Sequence, residues 1–238
     1  MSDFHWVTFL RVCFPDIIAA ADRRFPAMPG ADIWRFCPTQ RLGPEGIPSY
    51  ASDVWCGMAV FDDEEAARAA FDDPQAHLPF LAEAENVWVA LAVPFAHRGA
   101  VKWRDAVETD SALRVCRTPP EGTLAVVTSA GFDADSAVPM ARRLDFARGV
   151  EAVLKGYAEA PGNIFRDVGN GAGVDGRDGL TLSLWDSDAA MVQAAYKPGV
   201  HRGQMDGHFG DAMFDRSSFS RFRVQGMRGD WGRAAAAA

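Results

Sequence analysis

The sequence predicts an α+β protein made of two tandem halves, each running strand–helix–strand–strand–helix–strand. Two observations predict it. Alternating, β-branched and aromatic runs are separated by segments of helical period, in the same order twice over. One stretch also repeats in letters: Phe61-Asp62-Asp63-Glu64 and a helix ending at Phe71 match Trp185-Asp186-Ser187-Asp188 and a helix ending at Tyr196. A Pro-x-x-His follows each, Pro74 to His77 and Pro198 to His201.

In the first half, Trp6 to Val12 alternates and is rich in strand formers. Pro15 is expected to open a helix through Ala21, with Asp16 at the positive end of its dipole. Ile33 to Phe36 is a short strand closed by Pro38, and Gly43 to Pro48 reads as a loop. Val54 to Phe61 is the third strand. Asp62 or Asp63 caps a helix through Phe71, Asp73-Pro74 stops it, and Val87 to Val93 is the fourth strand.

The second half begins with the strand Leu124 to Ser129. A helix over 138–158 places Phe146, Val150, Val153, Leu154 and Tyr157 on one face, expected to be buried. Pro161-Gly162 ends it. Asn163 to Val168, Leu180 to Trp185 and Ser218 to Val224 are strands, and Asp186 is the expected cap of a helix over 187–196. Gly169 to Gly179 contains a glycine-rich run, but a strand rather than a helix follows, so it is a connection and not a phosphate-binding turn. A split β-α-β unit of this kind is ferredoxin-like. Two tandem ferredoxin-like (βαββαβ) repeats, over 1–118 and 119–233, can bury their apolar sheet faces against each other as an α+β barrel. Residues 234–238, all alanine, read as a disordered tail.

Composition narrows the function. A hydrophobic fraction of 48% with 24% charged residues is that of a globular chain. A net charge of −8 without a basic block argues against a nucleic-acid partner. The N-terminus lacks a secretory pattern. The longest apolar run, Val87 to Ala96, contains Pro94 and is far shorter than the about 20 residues that span a bilayer. Cys13, Cys37, Cys56 and Cys116 form no Cys-x-x-Cys pair and are expected as buried thiols in a reducing cytoplasm. No Ser/His/Asp spacing, phosphate loop or His-Glu-x-x-His motif supports a hydrolase or kinase.

Chemistry concentrates in Tyr196 to His208, which holds two of the five histidines. Histidine is the commonest metal ligand. His201, just beyond a helix of the second half, is the candidate metal ligand, with a surface or capping histidine as the alternative, and His208 is the reserve. His201, Asp206 and His208 together would also suit a two-histidine, one-carboxylate iron site, although all three lie in one short, glycine-broken segment. Arg202 and Arg216 are candidates for pairing carboxylates through a bidentate fork, with a solvated surface role as the alternative. His97-Arg98 ends a strand and could also sit at an entrance. The tryptophans fall mostly on strands, where core packing is expected. His77, the repeat-equivalent of His201, is expected to be structural.

Six segments resemble one known family: Trp34-Arg35-Phe36, His97-Arg98-Gly99 with Trp103, Thr128-Ser129-Ala130-Gly131, Pro161-Gly162-Asn163, Pro198-Gly199-Val200-His201-Arg202 with Met205-Asp206, and Phe214-Asp215-Arg216-Ser217-Ser218-Phe219. Together they are similar to the spheroidene monooxygenase family of carotenoid biosynthesis. The resemblance runs from the first strand to about Trp231, and its most specific parts are Pro-x-x-His-Arg and Phe-Asp-Arg-Ser-Ser-Phe. It implies a haem b (iron) enzyme that introduces a keto group at C2 of an acyclic, spheroidene-like carotenoid. Two successive hydroxylations of one methylene would do this, using O₂ and an electron donor such as reduced ferredoxin. The resemblance implies His201 as axial ligand and leaves the distal catalytic residues open. Tandem ferredoxin-like barrels also resemble other haem proteins, among them aldoxime dehydratases and chlorite dismutases. A haem-dependent dehydratase or peroxide-using enzyme on a smaller substrate is therefore one alternative, and a non-catalytic haem or apolar-ligand carrier is another. Oligomeric state and peripheral membrane contact stay open.

Overall fold

Eight strands form one antiparallel sheet whose order repeats the same pattern twice. The computed structural model describes residues 2–42, 47–171, 176–196 and 213–232. The first half supplies β1 (Trp6–Ala19), β2 (Ile33–Pro38), the two-residue β3 (Arg41–Leu42) and β4 (Pro48–Ser49), β5 (Ala51–Phe61), α1 (Glu64–Asp72), α2 (Pro74–His77) and β6 (Asn86–Gly99). The second half supplies β7 (Thr123–Gly131), α3 (Met140–Ala158), β8 (Asn163–Asn170), β9 (Asp178–Trp185), α4 (Asp188–Tyr196) and β10 (Arg216–Gly229). The sheet order is β2-β5-β1-β6-β10-β7-β9-β8, with β3 and β4 pairing separately. Counting the four main strands of each half, both are 4-1-3-2, the ferredoxin-like order, joined where β6 and β10 pair. The edge strands then meet. Thr39 bridges Gly169, and Gln40 N donates to Val168 O at 2.7 Å, so the sheet curls into a barrel.

Strand alternation fills the barrel. Val7 and Phe9 of β1 point inward with Met58, Val60, Trp88, Leu180, Leu182, Leu184 and Phe222, all buried. The opposite face of β1, from Trp6 through Phe14, packs beneath α1 and a knot of aromatics around Phe25, whose ring lies 4.8 Å from Trp55 and 4.5 Å from Phe80. With both faces covered, β1 is buried throughout from Trp6 to Phe14. Trp55, Trp88, Trp103 and Trp185 are all core residues, as expected, and the four cysteines are buried free thiols.

Three elements depart from the sequence reading. No helix opens at Pro15, because β1 runs on to Ala19 with a register shift between Cys13 and Ile18. A bulge tolerates Pro15, which has no N–H to give, and the following Ile17-Ile18 favours extended backbone. Asp73 does stop α1, but it also caps the new turn α2, its carboxylate accepting from Ala76 N at 3.0 Å. At α4 the capping hydrogen bond comes from Ser187, whose Oγ accepts from Ala190 N at 3.2 Å, while Asp186 accepts from the Ser187 hydroxyl. His201, Arg202, His208 and the alanine tail lie outside the described residues. Among those described, no helix is long and apolar enough to cross a membrane.

Candidate functional site

The outer face of the second half is built differently from that of the first. Register places two cross-strand rows side by side on it: Asn170, Gly179, Ala130 and Ser217, then Val168, Thr181, Thr128 and Phe219. Apart from Phe219 at one end and Asn170 at the other, nothing in these rows exceeds valine or threonine in size. Over them lies α3, held at its flank by Gln40 Nε2 donating to Ala147 O at 3.1 Å and Arg166 Nε donating to Leu154 O at 3.2 Å. Small residues on the sheet below and a helix anchored to one side leave a cavity of about 770 Å³ between them. The α3 face expected to be buried, Phe146, Val150, Val153, Leu154 and Tyr157, lines this cavity and is only half-buried. Its periodicity is real, but among the described residues it faces a cavity in place of core.

Tyr157 packs edge-on to Trp185 at 5.0 Å in the cavity wall, and Met191 and Ala195 of α4 line it beside them. Ile47, Tyr50 and Met140 also line the cavity and are exposed. Arg98, Arg143 and Arg177 also line the cavity. The Arg143 guanidinium donates to the carbonyls of Val138 at 2.9 Å and Ser136 at 3.1 Å. On the floor, the Asn170 side chain is 9% exposed, and its Nδ2 has no partner among the described residues. A buried amide donor without an acceptor is costly unless a ligand or water supplies one.

Of the four candidate site residues, Arg216 alone is described, and its guanidinium is already paired within the protein. It is buried, with Nη2 on Asp178 Oδ1 at 2.5 Å, Nε on Asp178 Oδ2 at 3.4 Å and Nη1 on Asp133 Oδ1 at 2.5 Å. This bidentate clamp already has two carboxylates, so Arg216 ties β10 to β9 and is not the partner for a ligand carboxylate. A strand of alternating inward and outward residues does not reveal such a pairing before the register is known.

His97 turns into the barrel, with Nδ1 and Ser220 Oγ 2.7 Å apart and its ring 5.7 Å from Trp103. Burial holds it below the ordinary 6.5, against the Thr109 carbonyl and the Asp110 and Glu108 carboxylates. His77 ends α2, its Nδ1 3.0 Å from Asp73 O, a local structural role. His5, Asp32 and Asp62 bring potential ligand atoms together, but Arg114 N donates to His5 Nδ1 at 3.0 Å. His5 Nε2 therefore carries the proton and faces Asp62 at 3.1 Å, while Arg114 and Arg104 pair Asp62 and Asp32. That cluster is a satisfied ion-pair network.

Segments far apart in sequence converge on the cavity. Arg98-Gly99, Thr128 to Ala130, and Phe214 with Ser217 to Phe219 all line it. Gly99 permits one of these approaches: its φ is +96°, and a Cβ there would strike the Ser217 carbonyl. Sequence reasoning found these segments as motifs, but nothing in them says that they meet.

No protein-family model matches the chain, and no curated protein sequence matches it significantly. Solved structures do. An aldoxime dehydratase (OxdRE) in complex with butyraldoxime is 12% identical, with a TM-score of 0.55 over 93% of this chain and 80% of that one. A second aldoxime dehydratase structure is also 12% identical, with a TM-score of 0.53 over 93% and 82%. A candidate monooxygenase from Lactobacillus acidophilus is 11% identical, with a TM-score of 0.41 over 98% and 99%. At such identities the two dehydratase structures establish a shared fold: the tandem α+β barrel over nearly the whole chain.

Proposed function

We propose that the protein is a haem-dependent monooxygenase that oxidises an apolar, carotenoid-like substrate in the cavity beneath α3. One observation carries the reading. The described residues on either side of the His201 segment, Ala195 before it and Phe214 after it, both line that cavity, together with the other motif segments of the family resemblance.

The residues present suit a haem. A floor of small side chains and walls of Val150, Val153, Leu154 and Phe146 accept a flat apolar ring. No histidine is among the described lining residues, so an imidazole ligand would come from residues 197–212, as His201 or, in reserve, His208. Arg143 in the wall and Arg202 beside His201 would pair the propionates, in place of Arg216. When bound, the haem supplies O₂ activation and oxidation of an unactivated C–H bond. The chain's own work is to exclude water with the packed Tyr157–Trp185 pair and the apolar face of α3, and to offer Asn170 Nδ2 as a donor from the cavity floor. The resemblance supports C2 of an acyclic carotenoid as the position oxidised to a ketone.

The test is aerobic incubation of haem-loaded protein with an acyclic carotenoid and a reduced ferredoxin system, followed by product analysis. The expected product is a ketone that forms only when reductant and O₂ are both supplied. Haem binding without turnover would identify a carrier, and turnover of an aldoxime without reductant would identify the dehydratase alternative.

A further inference from the structure

Behind the cavity floor, the inner face of β8 meets a pair of cysteines. Cys37 of β2 and Cys56 of β5 stand directly opposite each other in the antiparallel ladder, so both side chains leave the same face of the sheet. Both are buried free thiols, each 2% exposed. They converge on one spot, where a Cβ on Gly169 would strike either sulfur. Gly169 sits where the barrel closes, bridged to Thr39, and its chain neighbours Val168 and Asn170 line the cavity. The Cys37 thiol donates to the Cys56 carbonyl at 3.6 Å, and the Cys56 thiol is hydrogen-bonded with the Cys37 sulfur. That bond, ahead of burial, pushes the Cys56 thiol well above its ordinary value. The charge of Asp167 on β8 adds to the rise, and Arg11, next to Cys56 in the same cross-strand row, opposes it.

We infer that Cys37 and Cys56 are a peroxide-reactive dithiol that closes to a reversible disulfide beneath the cavity floor. Opposite residues of an antiparallel ladder have Cα atoms about 4.5–5.5 Å apart, inside the roughly 4.4–6.8 Å that a disulfide spans, so the ladder already sets the two backbones at bonding range. Burial of both sulfurs selects a small neutral oxidant, hydrogen peroxide, over a bulky disulfide. One sulfur takes an oxygen from peroxide, giving a sulfenic acid as the O–O bond breaks and water leaves. The second sulfur attacks the first, the S–S bond forms, the S–O bond breaks, and a second water carries off the oxygen. Two thiols lose two electrons and two protons, and peroxide gains them. A dithiol reductant reverses the step by exchange. Cys13 faces Val54 and Asn86 in its ladders, and Cys116 lies outside the strands, so among the described residues neither has a cysteine opposite it. The inference stands on this packing and does not depend on what the cavity binds.

The test is to treat the folded full chain with hydrogen peroxide, quench with acid, alkylate the remaining thiols in denaturant and map the peptides by mass spectrometry. Two of the four thiols are expected to escape alkylation, with the Cys37 and Cys56 peptides joined by a bond that dithiothreitol opens. Oxidation is expected to quicken as pH rises and the protonated Cys56 thiol ionises. Cys13→Ser/Cys116→Ser is expected to form the same bond, and Cys56→Ser to form none. The wild-type map carries the test by itself and needs no variant to fold. Four alkylated thiols in the treated wild type would overturn the inference. So would a disulfide through Cys13 or Cys116, or a sulfinic acid at Cys37 or Cys56 in place of the bond.

Discussion

Arg216 sits in the segment Phe214 to Phe219, and its surroundings decide what it does. Its guanidinium holds Asp178, whose side chain is 1% exposed, and reaches Asp133 at 50%. Removing one partner of a buried pair strands the other charge, which costs about 3–5 kcal/mol. Arg216→Met is therefore expected to lower stability by that amount in a denaturant titration, with Arg216→Met/Asp178→Leu recovering much of it. A haem-binding defect in Arg216→Met at unchanged stability would contradict this structural role. Residue types showed which side chains could matter, but pairing depended on register. A surface arginine and a buried clamp look the same in a strand such as Arg216 to Val224.

Element types were largely legible, because strands with both faces buried and caps such as Asp63 leave local signals. Pro15 misled because a proline that can start a helix can equally occupy a bulge. The α3 stripe misled in a subtler way. Helical period shows that one face avoids water, but the same period serves packing and ligand contact. The difference lies in what stands opposite, here Gly179, Ala130 and Thr181 in place of larger side chains. Val150→Trp projects a large ring from α3 into the cavity. It is expected to weaken haem binding by about tenfold or more in a titration, a loss of at least ~1.4 kcal/mol, while circular dichroism and melting behaviour stay near wild type. Unchanged haem affinity would place the ligand elsewhere.

At the scale of the molecule, the repeat of strand order predicted the barrel, and the 4-1-3-2 order of both halves agrees with it. The asymmetry between the halves was not legible. One outer face is filled by Phe25, Trp55 and Phe80, and the other, among the described residues, borders a cavity, which depends on packing between distant segments. The central claim is that this cavity holds a haem ligated by His201. It is tested most directly by absorption and electron paramagnetic resonance spectra of haem-reconstituted wild type, His201→Ala, His208→Ala and His77→Ala. The account predicts a Soret band and a histidine-ligated ferric signal in wild type, His208→Ala and His77→Ala, and loss of both in His201→Ala. A wild type that takes up no haem, or a His201→Ala spectrum identical to wild type, would contradict it.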